Sequence, residues 1–225
     1  MLKWDVLVMI ESNHMFHYEN ELLSKYKYIA GTDEAGRGSM AGPLCVASCI
    51  LNPNDIIEGL NDSKQLTPKK REKLFTEIIN RSLSYSIIFI DEDTIDKINI
   101  YQASKQGMIK AINSLDIKPD YVLSDAMKLD ELNIPYTSLI HGDALSASIA
   151  AASILAKVSR DHLMDELDLK YPMYGFKKHK GYVTKAHKEA LQKYGACPIH
   201  RKSYEPVKQV LENKNIFSFT FEENN

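Results

Sequence analysis

The sequence predicts an α/β fold, a mixed sheet flanked by helices with a helical C-terminal domain. Three observations predict it. Two strand-like runs, residues 28–30 and 43–51, lie so close along the chain that they read as a hairpin. Beyond residue 66, segments with helical apolar spacing alternate with β-branched and aromatic runs. From Tyr171 to Lys214 the chain is basic and reads as helical. The Tyr171–Pro172 break is the expected boundary. Residues 1–170 then form a sheet domain with a short lead-in, and residues 171–225 a basic helical region with a tail.

Taken in order, residues 1–25 mix Trp4, Val6, Leu7 and Ile10 with charges and read as a helical lead-in. Residues 28–30 read as the end of a buried strand, followed by adjacent carboxylates, Asp33 and Glu34. Gly36 and Gly38 then flank Arg37, and glycine admits backbone conformations closed to other residues. Residues 43–51 are apolar without alternation, as a strand buried on both faces would be. Residues 61–66 form a polar loop, and Thr67 and Pro68 suit the N-cap and first position of a helix bearing Leu74, Phe75, Ile78, Ile79 and Leu83.

Residues 85–90 read as a strand. Asn99 with Gln102 resembles a capping box for a helix through Met108, Ile109, Ile112 and Leu115. Residues 121–125 and 136–140 are strand-like, the first ending in Asp125 and the second followed closely by Asp143. Residues 146–169 predict a long helix whose alanines (Ala147, Ala150, Ala151, Ala152, Ala156) permit close approach to a sheet. The tail after Lys214 alternates apolar and polar residues, as an added edge strand or a peptide for a partner would.

The formal net charge of −2 conceals an uneven distribution. Residues 170–210 hold ten Lys and Arg against Glu189 and Glu205, so the remainder is acidic. An acidic body with a basic end suggests metal chemistry in one place and phosphate contact in another. Cys45, Cys49 and Cys197 lack ligand spacing. The first two share a strand face too far apart to bond each other, so all three are expected to be reduced, in a cytoplasmic protein. No membrane span or signal peptide is expected, because the apolar residues 6–10 are few and lie between Asp5 and Glu11. A monomer is the default.

Asp33, Asp125 and Asp143 each follow an apolar strand-like run, and Glu34 accompanies the first. Parallel pairing of those strands would gather the acids at one sheet edge, where α/β proteins place ligands. Converging carboxylates repel and hold raised pKa values unless cations neutralise them. Oxygen ligands without a histidine or cysteine cluster point to Mg²⁺ or Mn²⁺. Two such ions, roughly 3.5–4 Å apart, suit phosphodiester hydrolysis. Alone, Asp125 reads as a turn residue and Asp143 as a helix N-cap; their joint placement favours catalysis. Asp130, Asp161, Asp165 and Asp168 read as solvated or helix-surface charges.

The blocks GTDEAGRGSMAGP, NDSKQL, SDA, HGDALSASIAAASILAKVSRD, HKGYVTKAH and PIHRKSYEPV, in that order, resemble the signature of the ribonuclease HII (type 2 ribonuclease H) family, over about residues 28–207. The resemblance implies an RNase H-like sheet with a helical C-terminal domain. It also implies a divalent-metal endonuclease acting on RNA–DNA hybrids and on ribonucleotides embedded in duplex DNA, which it cuts on the 5′ side to leave 3′-hydroxyl and 5′-phosphate ends, as ribonucleotide excision repair requires. By position, Asp33, Glu34, Asp125 and Asp143 match the metal-binding acids. Gly36, Arg37 and Gly38 match a loop that senses the ribose 2′-hydroxyl, and Tyr182 a tyrosine that packs on the junction sugar. His141 stands where lysine is common, and Tyr204 where phenylalanine is common.

The 2′-hydroxyl distinguishes RNA from DNA, and a glycine-flanked backbone can approach it closely. Lys64 and Lys180 are candidate phosphate contacts, with Lys177 and Lys178 less distinctive. A DNA nuclease or integrase-like enzyme using the same acids is the rival reading. A non-catalytic nucleic-acid-binding module is another, but it leaves the four acids without a purpose.

Overall fold

The computed structural model describes residues 14–222, with side chains to residue 213. The first part of the expected lead-in, residues 1–13, lies outside the described residues. The rest is helical: a 3-10 turn, His14–Phe16, runs into α1, His17–Leu23. The chain divides into two units. One comprises Met1–Ala35, Cys45–Phe89 and Ser104–Ser159, the other Gly36–Leu44, Ile90–Ala103 and Arg160–Asn225.

The first unit is built on a five-stranded sheet in the order β3-β2-β1-β4-β5, formed by Ile29–Ala35 (β1), Leu44–Ile50 (β2), Ser84–Ile90 (β3), Tyr121–Asp125 (β4) and Tyr136–Leu139 (β5). β1 runs antiparallel to β2, from Ala30↔Ile50 to Ala35↔Cys45, which is the expected hairpin. It runs parallel to β4, which in turn runs parallel to β5, so the sheet is mixed.

β1 does not end with its apolar run. Asp33 and Glu34 remain in the strand, opposite Ala47 and Val46. Backbone pairing with β2 continues past Ala30, and that pairing, more than side-chain type, fixes a strand's end.

Every residue of β2 is buried. Cys45, Ala47 and Cys49 pack in one apolar cluster with Leu74 and Ile78 of α2 (Pro68–Arg81) and with Ala147, Ala150, Ala151 and Ile154 of the long helix. All three cysteines are free thiols. Thr67 caps α2, its hydroxyl accepting from the Lys70 amide at 3.3 Å, with Pro68 in the first turn. Leu83 lies beyond the helix and is exposed.

Two further helices, α3 (Glu92–Ile98) and α4 (Ile100–Asn113), follow β3. α3 went unforeseen. The Asp91 carboxylate caps it by accepting from the Thr94 amide at 2.7 Å. Asn99 caps α4, its side-chain oxygen accepting from the Gln102 amide at 3.1 Å.

The long helix α5, Ala147–Lys170, belongs to the first unit up to Ser159. Its first turn lies directly on β1. A Cβ added at Gly31 would stand 2.0 Å from the Ser148 carbonyl carbon and 2.3 Å from the Ile149 nitrogen. Glu19 of α1 reaches the same turn: one carboxylate oxygen accepts from the Ser146 hydroxyl at 2.6 Å and the Ser148 amide at 2.9 Å.

The second unit contains α3, the segment Gly36–Leu44, the end of α5, and three helices: α6 (Phe176–His179), α7 (Lys185–Tyr194) and α8 (Glu205–Glu222). Ala41, Met164, Tyr174 and Phe176 form one buried cluster, and Met40, Leu191 and Val207 another. The backbone of residues 214–222 continues α8, which corrects the expectation of an edge strand there. Extending an existing helix adds a hydrogen bond for each residue fixed, whereas a new strand must find its own partner. Among the described residues no helix is long and apolar enough to cross a membrane.

Candidate active site

The parallel register of β1 and β4 places Thr32 beside Ser124, so both strands carry an aspartate, Asp33 and Asp125, at the next position. Equal register puts both on one face of the sheet. Asp33 is buried; its Oδ1 accepts from the Glu34 amide at 2.7 Å, and it is hydrogen-bonded by the Ser153 hydroxyl of α5. Ser153 also lies 3.0 Å from the Ser63 hydroxyl, which ties the polar loop of residues 61–66 to the same spot.

Asp125 organises the turn that carries the next acid. Its Oδ1 accepts from the Gly142 amide at 2.7 Å. His141 makes the preceding bend in the left-handed region, φ 58°. A Cβ at Gly142 would lie 2.6 Å from Ile149 Cδ1 and 3.3 Å from Asp125 Oδ1, so a side chain there would push the Ile149 methyl aside and crowd the Asp125 carboxylate. Asp143 follows in a 3-10 turn, Gly142–Ala144, and is buried. It is not the N-cap of α5: the Ser146 hydroxyl takes that place, accepting from the Ile149 amide at 3.2 Å.

Asp33, Glu34, Asp125 and Asp143 form one electrostatic cluster. Burial pushes the Asp33 carboxyl well above the usual range, and Glu34 and Asp125 push it further. Asp143 is raised by burial, by Asp125 and by Asp62, with Lys64 opposing. Lys64 Nζ stands 3.5 Å from Asp143 Oδ2, on a side chain that is otherwise largely in solvent. Burial pulls that ammonium down, and Asp143, Asp62 and Asp33 more than offset it.

Among the described residues no three His, Cys, Asp or Glu side chains already stand in a closed cage. The donor set nevertheless fits a hard divalent cation: it is all carboxylate oxygen, drawn from two strand ends and one turn, and the raised pKa values of Asp33 and Asp143 mark charge that a cation would relieve.

Asp62 and Ser63 were read only as parts of a polar loop. The available signal was the short acid two residues before Lys64, an Asx-turn arrangement in which Asp62 Oδ1 accepts from the Lys64 amide at 2.9 Å.

The other expected residues belong to the second unit. Gly36 has φ +94°, and a Cβ there would lie 2.0 Å from Arg160 Nε, so glycine is required twice over. Gly38 departs from expectation: its backbone is ordinary, and a Cβ would meet nothing within 4 Å. Arg37 and Gly38 are exposed.

Two buried arginines that were not singled out hold this loop. Arg160 donates to the carbonyls of Pro43 (2.9 Å), Lys180 (2.8 Å) and Ala41 (3.1 Å). Arg201 donates to the carbonyls of Gly42 (2.8 Å) and Arg37 (3.2 Å). The Tyr204 hydroxyl donates to the Arg37 carbonyl at 2.7 Å, which a phenylalanine could not do.

Ser39 pairs with Tyr182 and Ala41 with His200 in isolated β-bridges, so Tyr182 is registered on the glycine loop. Tyr182 is 37% exposed, with the Arg160 guanidinium 5.6 Å from its ring centroid. Lys180 is occupied locally: its ammonium pairs with Asp165 and donates to the Asp161 carbonyl at 3.1 Å. Asp165 and Asp161 are therefore partners of Lys180, and Asp168 accepts from the Lys177 amide at 3.1 Å.

Residues 30–207 match the family model for ribonuclease HII. A ribonuclease HII of Desulfitobacterium hafniense is 54% identical over 190 residues, 84% of this chain and 73% of the relative. One from Caldicellulosiruptor saccharolyticus is 51% identical over 202 residues, 90% of this chain and 98% of the relative. Among solved structures, the ribonuclease H2 of Pyrococcus horikoshii aligns with TM-score 0.70 at 30% identity, covering 83% of this chain and 98% of that one. The RNase HII of Archaeoglobus fulgidus, solved as a complex with PCNA, aligns with TM-score 0.68 at 25% identity, covering 79% and 95%.

Proposed function

The chain belongs to the ribonuclease HII family, and from that premise we propose a divalent-metal endonuclease that hydrolyses RNA in RNA–DNA hybrids and cuts 5′ of ribonucleotides embedded in duplex DNA, leaving 3′-hydroxyl and 5′-phosphate ends. One observation carries the metal-dependent part: Asp33, Asp125 and Asp143, 92 and 18 positions apart in the chain, form one cluster of like charges with Glu34 beside it, Asp33 and Asp143 buried and Asp125 half-buried.

In this reading Asp33, Glu34, Asp125 and Asp143 hold one or two Mg²⁺ or Mn²⁺ ions. When bound, such ions supply Lewis acidity and make water a competent nucleophile near neutral pH. Asp125 acts twice, as ligand and as anchor of the Gly142–Asp143 turn. Lys64 balances Asp143, and its largely exposed side chain would also reach a backbone phosphate.

Gly36, Arg37 and Gly38 approach the ribose 2′-hydroxyl. The open space at Gly38 is what a bare backbone meeting a sugar needs. Tyr182 offers an exposed ring to the neighbouring sugar and there excludes a second 2′-hydroxyl. Lys180 reaches a phosphate only by exchanging Asp165 for it. The domain reading assigns residues 1–170 to the chemistry and the basic residues 171–225 to the duplex. The C-terminal segment, residues 215–225, is a candidate for a protein partner, and a cytoplasmic repair setting accords with three free thiols.

The test is cleavage of duplex DNA carrying one ribonucleotide beside an all-DNA duplex, with and without Mg²⁺ or Mn²⁺. Metal-dependent cutting of the first alone is expected, and equal cutting of both favours a DNA nuclease. Asp33→Asn or Asp125→Asn is expected to abolish turnover while hybrid binding persists; a mutant that still turns over contradicts the ligand assignment.

A further inference from the structure

The side chains of His187, His200 and Cys197 in the second unit form a chain of contacts that the proposed chemistry does not use, and it ends on the Tyr182 main chain. His187 Nδ1 lies 3.0 Å from the Tyr182 carbonyl oxygen, His187 Nε2 lies 3.1 Å from His200 Nε2, and His200 Nδ1 lies 3.0 Å from the Cys197 amide nitrogen and 3.1 Å from its Sγ. Both ends fix the protons. A carbonyl only accepts, so His187 Nδ1 carries hydrogen and its Nε2 is bare; an amide N–H only donates, so His200 Nδ1 is bare and its Nε2 carries hydrogen. The two deductions meet in the middle with one donor and one acceptor, so the pair is matched when both rings are neutral.

The surroundings keep them neutral. His187 and His200 are 0% and 1% exposed, and burial pushes both down to about 4. His179 stacks on His187 with centroids 4.3 Å apart, and Phe176 meets it edge-on at 5.3 Å, which fixes the ring plane.

What the pair joins gives it meaning. Tyr182 bridges to Ser39, the residue directly after the glycine loop, and His200 bridges to Ala41 two residues further on. The Met40 amide donates to the Gly181 carbonyl at 3.0 Å, and the Arg201 amide donates to the Met40 carbonyl at 2.9 Å. The His187–His200 contact closes a ring around residues 39–41.

We infer that His187 and His200 are positioning residues for Tyr182, holding its main chain in register with the glycine loop and so setting selectivity for the DNA–RNA junction. This rests on the reading of Tyr182 as a sugar contact, proposed above. The alternative is an ordinary structural role, in which the pair merely fills the interior of the unit.

The experiment compares kcat/KM on an embedded single ribonucleotide with kcat/KM on a uniform RNA–DNA hybrid, for His187→Phe in the full chain and in a Tyr182→Ala background. Loss of a positioning hydrogen bond is expected to lower the selectivity ratio by up to about tenfold, with no further change in the Tyr182→Ala background. Equal loss on both substrates, or an equal drop of the ratio in both backgrounds, overturns the inference while the reading of Tyr182 stands. A ratio unmoved by Tyr182→Ala alone overturns both. If His187→Phe fails to fold, His187→Asn is scored the same way. It keeps an N–H for the Tyr182 carbonyl, but with that N–H engaged its shorter side chain places no acceptor where His187 Nε2 meets His200, so a ratio between wild type and Tyr182→Ala is expected, and an unchanged ratio overturns the inference.

Discussion

Replacing Gly31 by alanine adds one methyl group where the structure has no space for it. The new Cβ would sit 2.0 Å from the Ser148 carbonyl carbon, 2.2 Å from its oxygen and 2.3 Å from the Ile149 nitrogen. Ordinary contact begins near 3.4 Å, so the first turn of α5 must retreat by about 1.4 Å, the difference from 2.0 Å. The opposing atoms are main chain, so no rotamer change relieves the clash.

Overpacking of this kind costs about 1–3 kcal/mol, and a helix backbone trapped against a central strand belongs at the upper end. The catalytic cost should exceed the structural one. α5 supplies Ser153 to Asp33 and begins just after Asp143, and a displacement of about 1 Å at a reacting centre costs roughly 10²-fold in rate. Urea denaturation followed by far-UV circular dichroism measures the first quantity, and single-turnover cleavage of a one-ribonucleotide duplex measures the second. Gly38→Ala is the control, because its Cβ meets nothing within 4 Å and stability should hold. An unchanged urea midpoint together with unchanged cleavage in Gly31→Ala would refute the reasoning.

Three other outcomes are expected. Tyr204→Phe removes the hydroxyl that bonds the Arg37 carbonyl at 2.7 Å and should cost about 1 kcal/mol in chemical denaturation, with weakened binding of a ribonucleotide-containing duplex; a neutral result in both assays counts against the loop's dependence on residue 204. His187 and His200 have folded pKa values depressed from 6.5 to about 4, so the unfolded chain binds protons first: their contribution is complete above about pH 6.5 and is lost as pH falls toward 4. One imidazole shifted this far corresponds to roughly 3 kcal/mol, so denaturation midpoints recorded across that window should fall with acid, and less steeply in His187→Phe. Thr67→Ala should cost about 1 kcal/mol through loss of the α2 cap, which a thermal melt can detect.

The parts of the fold legible in the sequence were those set by short-range chemistry. Thr67 and Asn99 act as caps because their side chains reach amides three residues on, a relation visible in any sequence. The acids were legible only jointly, each following an apolar strand-like run, because alone Asp125 reads as a turn residue and Asp143 as a helix N-cap. Their convergence was conditional on parallel pairing of β1 with β4, a long-range relation that no spacing encodes. The end of β1 was misread for the same reason, since β2 and not the side chains of Asp33 and Glu34 decides where it stops.

The helix α3 was not anticipated, although Asp91 caps it and Glu92 opens it. Arg160 and Arg201 were missed because arginine is almost never wholly interior, and only the fold supplies the carbonyls that make it so. Asp62 was hidden by its setting among loop residues, and only Asp143 across the site gives it weight.

The two interior guanidinium groups have a consequence for how this chain can drift. Around each, peptide oxygens from distant positions play the part that water plays around an arginine in solution: Pro43, Ala41 and Lys180 about one, Gly42 and Arg37 about the other. A planar fork can span such a ring and a lysine, a single point of charge, cannot. The freedom of the ribose-facing loop to change is thus set from outside it, at 160 and 201, where exchange of one cation for another would conserve charge and still let the loop slacken.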